Sequence, residues 1–221
     1  MSKKILIVTT NFAGNETTTM NHTGVWLEEF ATPYLVFKET GYDITVASPL
    51  GGLSPVDENS MSCSNPEEWD ICIKILRNTT GLSEVNYKEY DVLFIPGGHG
   101  PMFDLANDVL LQEIVEYFYD KNKIISAVCH GPAGLVLAKD KNGNSILKDK
   151  KVTCFTNKEE KIVKHEEDVP FLLETCLREL GARFEDAAPW SEHVCTDGNI
   201  ITGQNPQSAL LLAEEVVKLL S

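Results

Sequence analysis

Of the six cysteines in this 221-residue chain, one stands where a thiol can do covalent chemistry. The run Ile124-Ile125-Ser126-Ala127-Val128-Cys129-His130-Gly131-Pro132-Ala133-Gly134 reads as a buried strand, a turn and the start of a helix, with Cys129 on the turn. This is the pattern of a nucleophile elbow, in which a sharp corner lifts the side chain above the sheet. Free N–H groups at a helix start favour an anion, so Cys129 is expected to have a lowered pKa and to react as a thiolate. The competing reading is a cysteine that merely fills space at a strand end, the commonest role of the residue; its place on the elbow favours the nucleophile. A second turn, Ile95-Pro96-Gly97-Gly98-His99-Gly100, closes a neighbouring strand. The amides of Gly98 and His130 could together form an oxyanion hole for a carbonyl that gains negative charge. A Gly-Gly pair alone is ordinary turn chemistry; its pairing with the elbow is what gives it meaning. The turn lacks the Lys-Ser/Thr of a phosphate loop and the spacing of a dinucleotide fingerprint.

Strands and helices must carry these turns to one place. The apolar run Ile5–Thr9 reads as a strand covered on both faces and Tyr90–Ile95 as another buried strand, with Asp43–Ala47, Lys123–Val128 and Lys151–Phe155 as further strands. Helices are expected over Val25–Thr40, broken or restarted at Pro33, and over Asp104–Tyr119, Pro132–Ala138, Pro170–Leu180 and Pro206–Leu220. His193–Thr196 and Asn199–Thr202 flank Asp197-Gly198, a hairpin signature. Residues 48–81 change character to a Gly/Ser/Pro loop and then a helix opening at Asn65-Pro66-Glu67-Glu68, an excursion from the sheet. Alternating strands and helices with short connections predict an α/β fold, a mostly parallel sheet sandwiched between helices. Ligands of such sheets collect at the carboxyl ends of strands, near the point where strand order reverses, and both turns end strands.

Four stretches in order, Thr23-Gly24-Val25-Trp26-Leu27-Glu28-Glu29, Pro96-Gly97-Gly98-His99-Gly100, Ala127-Val128-Cys129-His130-Gly131-Pro132 and Thr202-Gly203-Gln204-Asn205-Pro206, resemble the ThiJ/PfpI superfamily. More narrowly they resemble its branch of glutathione-independent glyoxalases, also described as stress chaperones and deglycases. The resemblance spans nearly the whole chain and implies one flavodoxin-like domain over residues 1–221, with residues 48–81 as the excursion. It implies Cys129 as nucleophile, His130 beside it, and Glu29 rather than Glu28 as the family's acid, four residues before Pro33. Phe155-Thr156-Asn157-Lys158-Glu159-Glu160 resembles the segment that supplies a third triad member, Glu160 or its neighbour Glu159. An arbitrary pair of glutamates is more often a solvated helix start. A carboxyl buried beside sulfur would be raised in pKa and could hold a proton until the sulfur is covalently occupied; Glu29 is expected to behave so.

What the resemblance implies is conversion of methylglyoxal or another small 2-oxoaldehyde to a 2-hydroxy acid such as D-lactate, through a hemithioacetal on Cys129, with neither glutathione nor metal. Deglycation of proteins or nucleotides at the same site, and a redox-sensing stress chaperone, are the alternatives. A class I amidotransferase or peptidase ranks below them, because neither His165-Glu166 nor Glu192-His193 has the spacing of His-x-Glu. His99 and His193 sit near strand ends and are expected to line the pocket with Trp190, while His22 and His165 lie in polar stretches and read as surface residues. None of them has metal-ligand spacing with another His or with Cys, so no metal and no cofactor is expected. A homodimer is implied by resemblance alone.

Nineteen Lys and Arg against 33 Asp and Glu leave a formal charge of −14, which disfavours nucleic acid and anionic membrane surfaces. The apolar run Ile5–Val8 is too short for a signal sequence or a membrane span, and a cytoplasmic protein is expected. The scattered cysteines, without C-x-x-C, suggest no disulfide framework.

Overall fold

The structure, a computed structural model, describes residues 2–14, 20–61, 67 and 69–221. The helix start expected at Asn65-Pro66-Glu67-Glu68 and Cys63 lie outside these residues, save Glu67. Nine strands occur among the described residues: β1 (Lys4–Val8), β2 (Asp43–Ser48), β3 (Thr80–Gly81), β4 (Val92–Ile95), β5 (Ile124–Val128), β6 (Lys151–Val152), β7 (Arg183–Phe184), β8 (Val194–Asp197) and β9 (Ile200–Gly203). Seven form one sheet in the order β3-β2-β1-β4-β5-β9-β8, parallel except for the β8–β9 pair. Strand order reverses between β1 and β4, so the crevice above their carboxyl ends is open to a ligand. The helices are α1 (Leu27–Glu39), α2 (Glu58–Met61), α3 (Trp69–Leu76), α4 (Val109–Asp120), α5 (Asn157–Val163), α6 (Leu173–Glu179) and α7 (Ala209–Leu220). Side chains alternate across the strands, and the sheet separates two cores. One holds Leu6, Leu93 and Ile125 with Ile114 and Phe118 of α4; the other holds Ile5, Ile7 and Phe94 with Phe30 and Phe37 of α1 and Leu212 of α7.

Four elements differ from the sequence-based expectation. Helix α1 runs unbroken through Pro33. Its packing face of Leu27, Phe30, Ala31 and Phe37 outweighs the missing N–H, which leaves the carbonyl of Glu29 without its helical donor. The helix expected to follow Cys129 is only a short 3-10 turn, Gly131–Leu135, since two glycines and a proline propagate a helix poorly. The strand expected at Lys151–Phe155 shrinks to β6, which pairs with β7 outside the main sheet, and residues 153–155 cross instead toward the elbow. The hairpin turn is displaced by one residue: Asp197 pairs with Ile200, so Gly198-Asn199 is the loop, with Gly198 at φ +65°. The 48–81 segment returns to the sheet as β3, its edge strand beside β2.

Candidate active site

Strand β5 ends in Cys129, whose φ of +59° lies in the left-handed region that L-residues with a side chain seldom occupy. Backbone hydrogen bonds hold the corner on both sides: the Cys129 N–H donates to the Gly203 carbonyl at 2.9 Å, and the Phe155 N–H donates to the Cys129 carbonyl at 2.9 Å. Beside it the turn after β4 approaches so closely that only glycine fits. A Cβ on Gly97 would stand 2.6 Å from Glu29 Oε2 and 2.7 Å from both Cys129 Cβ and the His130 nitrogen. One on Gly98, at φ +87°, would stand 2.3 Å from the Gly24 carbonyl. The glycine turn thereby docks on the chain leading into α1, with the Trp26 N–H donating to the Gly97 carbonyl at 3.1 Å. Glu29, in the first turn of α1, is thus fixed under the elbow.

Three glutamates reach this region, and their surroundings differ. Glu29 has no exposed surface. Its Oε2 accepts from the Gly97 N–H at 2.9 Å, while Oε1 is buried with no hydrogen-bond partner among the described residues, its carboxyl lying against the Cys129 thiol. Burial pushes this carboxyl up to about 8, against the smaller pull of Cys129 and the Gly97 amide. Glu160, in the first turn of α5, accepts at Oε2 from His130 Nε2 at 2.7 Å and at Oε1 from His99 Nε2 at 2.8 Å. Although burial raises it, the two imidazoles outweigh that and hold it well below the usual carboxylate range. Glu159, one residue earlier, closes a capping box with Thr156 and takes N–H groups from Trp190, Gln204 and Asn205 on its other oxygen. The choice left open between the two is thereby made by geometry: Glu160 faces the histidine, and Glu159 ties α5 to the segments before β8 and after β9. Neither is a solvated helix start.

An ionised carboxylate only accepts, so His130 and His99 each carry their hydrogen on Nε2 toward Glu160. His130 Nδ1 is then left as an acceptor, 3.3 Å from Cys129 Sγ. Cys129, His130 and Glu160 form a line along which the thiol proton can move to an imidazole that a carboxylate orients. Burial leaves His99 a neutral donor: desolvation first, then the neighbouring His130, push it down to about 4, against the opposing pull of Glu160.

The expected low pKa of Cys129 is not found. Burial, and then the nearby Glu29 carboxyl, push the thiol well up, and the Gly98 amide, which hydrogen-bonds the sulfur, opposes them only in part. The short turn after the elbow supplies little helical field, and a thiol 4% exposed loses most of its hydration. The resting pair is a thiol beside a protonated carboxyl, and ionisation of the sulfur requires His130.

A small, almost wholly apolar cavity of about 60 Å³ opens over the sulfur, walled by Gly98, His99, His130, Phe155 and Trp190. Trp190, 39% exposed, meets the ring of Phe155 edge-on. Trp26, His99 and Val163 are shared with a larger cavity of about 340 Å³. His165, expected at the surface, stands in the wall of that cavity with its ring 5.1 Å from His99, and pairs with Asp168 at 3.0 Å. Its polar sequence neighbours gave no sign of this, because its direction is set by the left-handed turn at Lys164 that ends α5, with the His165 N–H donating to the Glu160 carbonyl. His193, expected to line the pocket, turns the other way, toward Cys195 at 3.5 Å. His193 and Cys195, two apart on the chain, share a face, which brings the ring nitrogen near the sulfur.

Comparison with known proteins adds the following. The DJ-1/PfpI family profile matches residues 20–219. "Glutathione-independent glyoxalase hsp3101" of Schizosaccharomyces pombe is 32% identical, over 97% of this chain and 95% of its own. "Glyoxalase 3" of Candida albicans is 33% identical over 97% of each. The crystal structure of glyoxalase III from Candida albicans superposes with a TM-score of 0.87 at 33% identity, covering 98% of this chain and 96% of that one. Rapid Encystment Protein 24 kDa of Francisella tularensis gives 0.92 at 40% identity over 99% of both chains.

Proposed function

The chain belongs to the DJ-1/PfpI family, and from that membership together with the site we infer that the protein is a glutathione-independent glyoxalase, taking a small 2-oxoaldehyde of the methylglyoxal type to a 2-hydroxy acid. One observation carries the reading: a thiol flanked on one side by an oriented imidazole and on the other by a buried, protonated carboxyl with an unpartnered oxygen.

The Cys129 proton passes to His130 Nδ1 as sulfur bonds to the aldehyde carbon. The carbonyl pair moves onto oxygen, which takes the proton of Glu29, giving a hemithioacetal. Glu29, now a carboxylate, removes the hydrogen from that carbon while His130 protonates the adjacent carbonyl oxygen, giving an enediol. Glu29 returns the proton to the second carbon, His130 takes the hydroxyl proton from the first, and a thioester results. Water cleaves it to the 2-hydroxy acid and the free thiol, and the proton left on His130 returns to Glu29. The protein sulfur thus does what a thiol cofactor would do, while Glu160 keeps His130 in the required tautomer.

The test is lactate formed from methylglyoxal without glutathione. Wild type is expected to form it, and Cys129→Ala and Glu29→Gln are expected to fall to background. Turnover by Cys129→Ala would remove the covalent scheme, and inactive wild type would remove the assignment.

A further inference from the structure

At β8, the edge strand of the main sheet, three donor side chains converge that the glyoxalase chemistry does not use. Glu185, just after β7, His193, just before β8, and Cys195, within β8, bring one carboxylate oxygen, one ring nitrogen and one sulfur within 4.8 Å of each other. Cys195 Sγ lies 3.5 Å from His193 Nε2 and 4.0 Å from Glu185 Oε2. The first is a length that a thiol–imidazole hydrogen bond also takes, and the second lies at the outer limit for a hydrogen bond from sulfur. They are close to the edges of a metal coordination shell: zinc bonds of about 2.3 Å to sulfur and about 2.0–2.1 Å to nitrogen, at the tetrahedral angle, put these two atoms about 3.5–3.6 Å apart.

We propose that Glu185, His193 and Cys195 form a binding site for a borderline-soft divalent cation of the zinc class, with thiolate, imidazole and carboxylate ligands and solvent in the fourth position. The donor set selects the ion: thiolate and imidazole together disfavour magnesium and calcium, which prefer oxygen. The backbone prepares the site. Cys195 is fixed by its pairing with Thr202 in the β8–β9 hairpin, and the His193 N–H donates to Ser208 Oγ at 3.0 Å. Glu185 is the exposed and adjustable ligand; its other oxygen lies 3.7 Å from the Lys151 ammonium, leaving Oε2 directed at the sulfur. Uptake replaces the S–H bond by an S–metal bond and releases the proton to solvent, with no change of oxidation state. The second group of potential ligands, His99, His130 and Glu160, differs in that its donors are already engaged with one another at 2.7–2.8 Å.

Cobalt(II) added to the reduced full-length protein provides the test, read as the thiolate-to-cobalt charge-transfer absorption and its reversal by zinc. Wild type is expected to take up one equivalent with this band. Cys195→Ser should abolish it, and His193→Gln and Glu185→Gln should weaken binding by about tenfold or more; the latter two, near the surface, guard against loss of signal through misfolding. Cys129→Ala should retain the band. Absence of the band in wild type, its persistence in Cys195→Ser, or its loss in Cys129→Ala would overturn the proposal.

Discussion

Glu29 at the start of α1 and Glu160 at the start of α5 are both buried carboxyl groups near one sulfur atom, and they are driven in opposite directions. Glu29 has a single amide donor and an oxygen facing the thiol, so loss of hydration dominates and it keeps its proton at neutral pH. Glu160 is held between two imidazole N–H groups and stays charged. Burial alone does not set the charge of a carboxyl; the number and kind of its donors do. The site obtains an acid and an orienting anion from the same residue type, as other enzymes do when they separate the roles of two carboxyls.

The largest expected effect of breaking this contrast is on Glu29. Glu29→Gln keeps the shape and the Gly97 bond but removes the movable proton, and kcat should fall by about 10²–10⁴-fold, measured with methylglyoxal at saturation. The same variant should be more stable than wild type at alkaline pH. In wild type a carboxyl raised from 4.5 to about 8 is protonated in the folded chain while it is ionised in the unfolded one. Stability from this group is therefore full below about pH 4.5 and declines as pH rises toward 8. Thermal unfolding of the two proteins from pH 5 to 9 reads the difference, and a wild-type advantage at pH 9 would contradict the assigned proton.

Glu160 carries the opposite slope. Its lowered pKa contributes stability above the unfolded value of 4.5 that is lost as pH falls through the acid range. Glu160→Gln should destabilise at pH 7 by about 1–3 kcal/mol, converge with wild type in acid, and lower kcat/KM by freeing the tautomer of His130. In the wild-type rate profile, kcat/KM should drop above about pH 8, where Glu29 loses the proton that the first oxyanion takes.

A smaller catalytic effect and a clear structural one are expected at the adjacent glutamate. Glu159→Ala leaves the N–H groups of Trp190, Gln204 and Asn205 without their acceptor. A loss of about 2–4 kcal/mol, from several buried donors at about 1–3 kcal/mol each with partial rescue by water, corresponds to a Tm lower by about 4–16 °C. A rise in KM through a loosened Trp190 wall should accompany it, with kcat less affected. The smallest change is expected for His99→Gln, which keeps one donor near Glu160: a fall in kcat/KM smaller than that of Glu160→Gln, measured with methylglyoxal.

Much of the fold was legible because its signals are local. Apolar runs such as Ile5–Val8 and Val92–Ile95 can only be strands covered on both faces, and turn residues mark where they end. The elbow and the glycine turn were legible for the same reason, since a left-handed corner and an approach so close that a Cβ would stand within 3 Å of its neighbours leave few residue choices. The local signal misled where packing outweighed it, as at Pro33 in α1, and where a segment was claimed by the site, as at residues 153–155.

The sequence by itself determined the order of elements, the cysteine on its corner and the acid residues available to it, because these depend on backbone preferences and on side-chain chemistry that every short segment carries with it. Tertiary structure alone decided which glutamate meets which imidazole, that His165 turns inward and His193 outward, and that the thiol rests protonated. Charge state and partnership depend on desolvation and on hydrogen-bond donors drawn from segments such as Gly97, His130 and Glu160, which meet only when the sheet is assembled.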